Sequence, residues 1–234
     1  MRRFTAATLV LSLGMLTASA QKKETPVGVG PAPSPAPISW EFDFKYAPPK
    51  RIEVRNADGQ TETYWYMLYT VTNKSMTTRQ FHPLFELVTI DLRVFHTDIG
   101  ISPLVFDAIK ERHKITHKYL LHPTKAIGEL RTGDDYARES AAIWRADDLR
   151  ASEFSIYIAG LSGEARVLRN PVHDPSKPVM KTVVDDRGRE HETTVNPKFF
   201  TLRKTLSLTY MLPASDKARS QIEPRLDDAR WIMR

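Results

Sequence analysis

The sequence predicts a mainly β protein, an antiparallel β-sandwich with one short helix, and three stretches carry that prediction. Thr61 to Asn73 is almost wholly β-branched or aromatic, with Trp65, Met67, Tyr69 and Val71 pointing one way and Tyr64, Tyr66, Leu68 and Thr70 the other. Both faces are largely apolar, as in an interior strand covered on two sides. A helix is excluded because so many χ1-restricted side chains would crowd each preceding turn. Ile38 to Tyr46 alternates apolar and polar residues, the pattern of a half-buried strand with one wet face. Phe200 to Leu212 does the same, with Phe200, Leu202, Leu206, Leu208, Tyr210 and Leu212 on one face. Strands at this spacing, separated by turn clusters, favour a sandwich over any βαβ fold.

Residues 1–20 read as a secretory signal peptide. Arg2 and Arg3 form the charged start, Phe4 to Leu16 is an uncharged, mostly apolar run, and Ala18-Ser19-Ala20 supplies the small-x-small cleavage pattern. The apolar run is shorter than the roughly 20 residues a spanning helix needs, so no membrane span is expected after cleavage. Residues 21–37 interleave five prolines with Gly, Ala, Val and Ser and show no hydrophobic period. They read as a disordered, Pro-rich linker. Residues 38–234 are then a single domain, long enough for a sizeable core.

Within that domain Pro48-Pro49 ends the first strand. Ile52 and Val54 form a short one, and the turn at Asn56 to Gly59 makes a hairpin with the central strand. Asn73-Lys74-Ser75 turns the chain before a strand at 84–90. Ser102 as N-cap, Pro103 in the first helical position and the stripe Leu104, Val105, Ala108 and Ile109 predict a helix over 102–112, packed on an edge of the sandwich. Further strands are expected at 116–121, 138–144 and 154–159. Residues 179–184 and 190–195 flank Asp185 to Arg189 as an exposed hairpin. Lys204 interrupts the apolar face of the last long strand, as a bulge or a snorkelling stem would. Ala229 to Met233 closes the sheet.

Tyr69-Thr70-Val71-Thr72-Asn73 followed by a small-residue turn resembles one strand and turn of bacterial immunoglobulin-like sandwich domains. The resemblance implies an immunoglobulin-like β-sandwich and carries no functional residues. Asn73-Lys74-Ser75 also fits the N-glycosylation sequon, which matters in a eukaryotic source.

Composition narrows the chemistry by exclusion. The chain has no cysteine, which excludes disulfides, Cys-based zinc sites, thiol nucleophiles and a lipid-modified N-terminal Cys. The formal net charge of +6 falls to +4 once Arg2 and Arg3 leave with residues 1–20. That mild excess, with no Lys/Arg run longer than two, does not predict nucleic-acid binding.

Gly160-Leu161-Ser162-Gly163-Glu164 approaches a nucleophile elbow, but Glu164 stands where the second Gly belongs and no helical stripe follows. Ser162 and Glu164 are retained as binding candidates in a turn. His113 and His117 would share a helical face if the helix ran on, a spacing that suits zinc. There is no Glu beside the first, and His122 is no evident third ligand. The acidic pairs at 134–135, 147–148, 185–186 and 227–228 read as turn residues. None fits an EF-hand loop, though two brought together in space would make a calcium site. Of the four tryptophans, Trp144, just before the charged turn Arg145-Ala146-Asp147-Asp148, is retained as the binding candidate for a partly exposed, sugar-stacking surface, with packing the favoured reading even there.

The expectation is a periplasmic or secreted, non-catalytic interaction or structural module of the cell envelope. Its partner is an envelope protein or polysaccharide, and no cofactor is implied, calcium apart. The alternative is an extracytoplasmic hydrolase using Ser162 or paired carboxylates.

Overall fold

The computed structural model describes residues 28–29, 39–56, 58–97, 101–145, 152–184, 190–213, 215–219 and 222–234. The signal peptide, all of the Pro-rich linker but Gly28 and Val29, the pairs Asp147-Asp148 and Asp185-Asp186, and the hairpin turn at 185–189 lie outside the described residues.

The apolar run at Thr61 becomes β4 (Thr61–Thr72), the centre of the first sheet. On one side β4 pairs with β9 (Arg138–Trp144) and on the other with β2 (Asp43–Tyr46) and β3 (Lys50–Arg55), all antiparallel. Tyr46 faces Tyr69 but Lys50 faces Tyr66, so β2 and β3 are one strand carrying an extra residue across Pro48-Pro49. Proline has no N–H to donate, which is why the ladder slips there. The β3–β4 turn closes with Gly59 at φ 79° and Asn56 Oδ1 accepting the Gln60 N–H at 2.9 Å. Within the stretch expected to be unstructured, β1 (Gly28–Val29) pairs with Tyr46 and Lys45. Main-chain pairing on an open strand edge needs no apolar side chain, so the composition of that stretch gave no sign of it.

The second sheet is built on β14 (Phe199–Met211). β10 (Glu153–Ala159) lies along one side of it, followed by β6 (Leu84–Thr89) and β7 (Val94–His96), while β15 (Arg225–Met233) lies along the other. β11 (Ala165–Arg169) continues the line of β10 beside the start of β14. Two small antiparallel pairs complete the set, β5 (Arg79–Phe81) with β8 (Gly128–Leu130), and β12 (Met180–Val184) with β13 (Glu190–Thr194).

The two large sheets pack face to face. Trp65, Met67, Tyr69 and Val71 of β4 meet Phe154, Ile156 and Ile158 of β10 and Leu206, Leu208 and Tyr210 of β14 in one buried cluster. Tyr69 sits 5.4 Å from Phe44 and 5.1 Å from Phe85, ring centre to ring centre, contacts worth roughly 0.5–1.5 kcal/mol each beyond area burial. The opposite face of β4 is covered by α1 (Pro103–Arg112), whose Val105, Phe106 and Ile109 bury against Tyr64, Tyr66 and Leu68. Ser102 caps that helix by accepting the Leu104 N–H at 3.4 Å. The helix therefore lies on the outer face of the first sheet, where two apolar β4 faces require a cover, and not on an edge as expected.

Residues 116–121 form turns, not the expected strand. His117 N–H donates to the His113 carbonyl (2.8 Å), Leu120 N–H donates to His117, and only Leu120 of that stretch is buried. Two short helices, α2 (Pro123–Ala126) and α3 (Asp216–Arg219), lie in connections.

The hydroxyls of Tyr46 and Tyr210 are buried between the sheets with no hydrogen-bond partner among the described residues. Burial raises both phenols above their ordinary value, and Tyr46 adds a further rise to Tyr210. A raised folded pKa stabilises fully below the unfolded value of about 10, and that stability is lost as pH rises beyond it. Tyr210→Phe, which removes a stranded hydroxyl, should raise stability by about 1 kcal/mol near neutrality and move alkaline unfolding to higher pH. Urea melts at about pH 7 and about pH 11 check both signs.

Candidate functional site

The face of β14 that points into the core does not stop where the sandwich does. Residues 206–211 are flanked by both β10 and β15, and β15 runs on to Met233, opposite Lys204. Arg234 still exchanges main-chain hydrogen bonds with Arg203 (2.7 and 3.1 Å). Beyond it, among the described residues, 199–202 have only β11 beside them, which runs from Ala165 opposite Arg203 to Arg169 opposite Phe199. Every residue of β11 is exposed, so no second layer of the described chain covers this two-stranded ribbon. Leu202, Phe200 and Leu168 continue the core-facing side, and Val167, Thr201 and Phe199 occupy the other. Phe199, Phe200, Val167 and Leu168 are all exposed. The ribbon also carries Arg166, Arg169, Lys198 and Arg203 and no acidic residue.

Past the ribbon the chain is held by polar staples. Asn170 donates its side-chain N–H to the Pro197 carbonyl (2.8 Å) and accepts the Val172 N–H (3.1 Å). Asn196 donates to the carbonyls of Asp174 (2.7 Å) and Lys177 (3.0 Å) and accepts the Asp174 N–H (3.1 Å). Both asparagines are buried, and each replaces main-chain pairing where no regular strand exists. The β12–β13 hairpin that this loop carries exposes Met180, Val183 and Val184.

The ribbon springs from the loop that holds Ser162 and Glu164. Ser162 donates its hydroxyl to the Trp40 carbonyl (3.2 Å) and accepts the Glu164 N–H (3.1 Å), while Gly163 N–H also donates to the Trp40 carbonyl (3.0 Å). A Cβ on Gly163 would collide with the Trp40 indole and the Ser39 hydroxyl, so only glycine lets the loop close on this strand. Gly160, at φ 84°, approaches the His82 carbonyl just as closely. Glu164 reaches Lys204, whose ammonium lies 3.2 Å from it and 2.9 Å from Glu41. The same ammonium sits 5.1 Å over the ring of Trp231. Lys204 is therefore neither a bulge nor a snorkelling stem, since its side chain is only 8% exposed and is paired inside. Burial opposes its charge, but the hydrogen bonds it donates to Glu41 and Glu164 outweigh that and leave its pKa above the ordinary value. The loop is a latch between the two sheets.

Of the remaining candidates, among the described residues, only His113 and His117 come together, their rings edge-on at 5.6 Å between centres. Trp144 is 0% exposed, packed between the sheets opposite Trp65, so the favoured packed reading holds and the candidate sugar-stacking surface does not. β9 runs through Trp144 and carries the indole inward beside Ala142. Helix α1 ends before His113, which holds the Tyr66 hydroxyl at 2.9 Å. His122 instead caps α2 and packs edge-on against Phe106. Asp134-Asp135 opens a 3-10 turn, whereas Asp227-Asp228 lies within β15 and not in a turn. There Asp228 meets Arg230 at 3.2 Å and Asp227 meets Arg225 at 3.6 Å. Among the described residues no group of three or more His, Asp or Glu is placed to hold a metal ion. Asn73 is fully buried, donating its side-chain amide to the carbonyls of Thr77 and Leu130 at 2.9 Å, so its sequon is closed to a glycan.

Sequence reasoning placed the Phe200 end of β14 in a strand but missed β11, its partner in the ribbon, and the role of Lys204. The first left no burial-driven alternation to read. The second was signalled only by a charge on an apolar face. Comparison with protein-family models, curated proteins and solved structures finds no match for this chain.

Proposed function

We propose that the chain is an exported, non-catalytic interaction module of the cell envelope that docks a partner protein through the β11–β14 ribbon. One observation carries this reading: a rigidly based strand pair leaves the sandwich with apolar and cationic side chains exposed on both faces. Exposed apolar surface rimmed by polar groups is typical of protein contact sites. The outer edge of β11 and the unflanked start of β14 leave main-chain groups open to strand addition. Four cations without a carboxylate on the ribbon favour an acidic partner. Export rests on the sequence of residues 1–20, and kinship with immunoglobulin-like domains on Tyr69 to Asn73 in the central strand and its turn. A hydrolase reading lacks comparable support, since the Ser162 hydroxyl bonds to main chain on both sides.

The test is site-specific photo-crosslinking in envelope-bearing cells, with the probe at Phe200 or Val167 and a control at exposed Tyr136. A discrete adduct from the ribbon positions alone supports the proposal; equal labelling at Tyr136, or none at the ribbon, overturns it. With the probe at Val167, Leu168→Ser with Phe200→Ser should abolish the adduct while changing stability by no more than about 0.5 kcal/mol.

A further inference from the structure

A cleft of about 330 Å³ opens where the edge strand β3 begins, between the last turn of α1 and the connection from β14 to β15. Lys50, Arg51, Arg112 and Arg219 line it, together with His113, and one carboxylate, Glu223, stands against them. That carboxylate is engaged by Lys50 at 2.9 Å. Among the described residues the lining thus holds four permanent cations and one carboxylate, with Arg51 also paired to Glu53 at 3.0 Å just outside it. A basic residue in the last turn of α1 is expected from the helix dipole, which accounts for Arg112. It does not account for cations converging from β3 and from the β14–β15 connection.

The guanidinium groups are fixed before any ligand arrives. Arg112 donates to the Arg51 carbonyl (2.9 Å) and lies 3.4 Å from the Tyr66 hydroxyl. Arg219 donates to the Pro213 carbonyl (2.6 Å). Arg51 holds Glu53 and Thr63 through one outer nitrogen (3.0 and 3.3 Å), while its Nε is buried without a partner among the described residues. Burial first, and then His117 and the charges of Lys50 and Arg112, hold the His113 imidazole below its ordinary pKa. Pro49, Ile222 and Pro224 add an apolar wall beside the cations. Fixed guanidinium forks pair with carboxylate or phosphate in two-pronged fashion. The volume falls at the lower end of the roughly 300–1,000 Å³ common for small-ligand sites.

We propose that this cleft binds a carboxylate or phosphate group borne on a sugar-sized body, the oxyanion held by Arg51 and Arg112 and the carbon face laid on the proline wall. This site is separate from the ribbon and stands or falls independently of the docking proposal.

Titration calorimetry of the chain with glucose phosphate, glucuronate and glucose tests it. One charged sugar should bind with a millimolar or tighter Kd, at least about tenfold tighter than glucose. Added salt should weaken it, and the tighter of the two identifies the oxyanion. Arg51→Gln and Arg112→Gln should each weaken binding about tenfold or more. Circular dichroism reports whether these variants fold. If either does not, Lys50→Gln, altering a partly exposed side chain, should weaken binding in the same direction. No saturable heat from either charged sugar up to about 10 mM, glucose binding equally well, or folded variants with unchanged affinity would overturn the proposal.

Discussion

Lys204→Met is expected to lower stability by about 3 kcal/mol, among the largest losses available to a single substitution outside the apolar core. Removing one member of a buried ionic group leaves the others uncompensated, at a cost of roughly 3–5 kcal/mol. Here the lower end applies, because Glu164 is about one-third exposed and water screens it. Methionine keeps most of the stem packing, so the loss reports the charge and not a cavity. Adding Glu41→Gln and Glu164→Gln to Lys204→Met should restore most of the stability, since amides facing a thioether carry no repulsion. A urea-melt cycle over the single, double and triple variants measures this coupling. If Lys204→Met melts like the parent chain, the latch contributes nothing. The raised Lys204 pKa fixes the pH sign as well: its stabilisation is complete below about pH 10 and is lost as pH rises through the folded value.

Trp144→Ala should cost about 3–5 kcal/mol through lost burial and the cavity left between the sheets. The indole is completely enclosed and pairs across the ladder with Trp65, so neither sheet can close the gap without shifting β4 or β9. Trp144→Phe should cost less, because it keeps an aromatic filler and removes an indole N–H that has no partner among the described residues. Thermal melts of both variants give the ranking. Stability unchanged within about 0.5 kcal/mol in Trp144→Ala would mean that the side chain is at the surface after all.

What the sequence revealed was burial. β4, β10, the alternating stretch of β14 and helix α1 were legible because each presents an apolar face with the period of its backbone, and burial enforces that period. β5, β7 and β8 are three residues each, too short for a period to register. β11 reads Ala-Arg-Val-Leu-Arg because neither of its faces is covered, so nothing selected alternation there. Residues 116–121 misled in the opposite way. Tyr119, Leu120 and Leu121 look like strand residues, yet Tyr119 is exposed, Leu121 is only partly covered, and Leu120 alone anchors a series of turns. The glycine loop before Glu164 was legible as a turn, but its partner Trp40 lies more than a hundred residues earlier, and no local pattern encodes that contact. Cations from β3, α1 and the β14–β15 connection meet for the same reason, through topology alone.

The continuity of β14 has a mechanical consequence. The strand that forms half the ribbon is the strand that β10 and β15 clamp on both sides inside the sandwich. A pull on the ribbon along its axis therefore loads β14 lengthwise. Antiparallel ladder bonds run across the strand, so they resist that load together in shear, where a peeled edge would yield bond by bond. A partner tugging at the ribbon would meet the resistance of the whole second sheet, with the Lys204 latch at the point where the force enters.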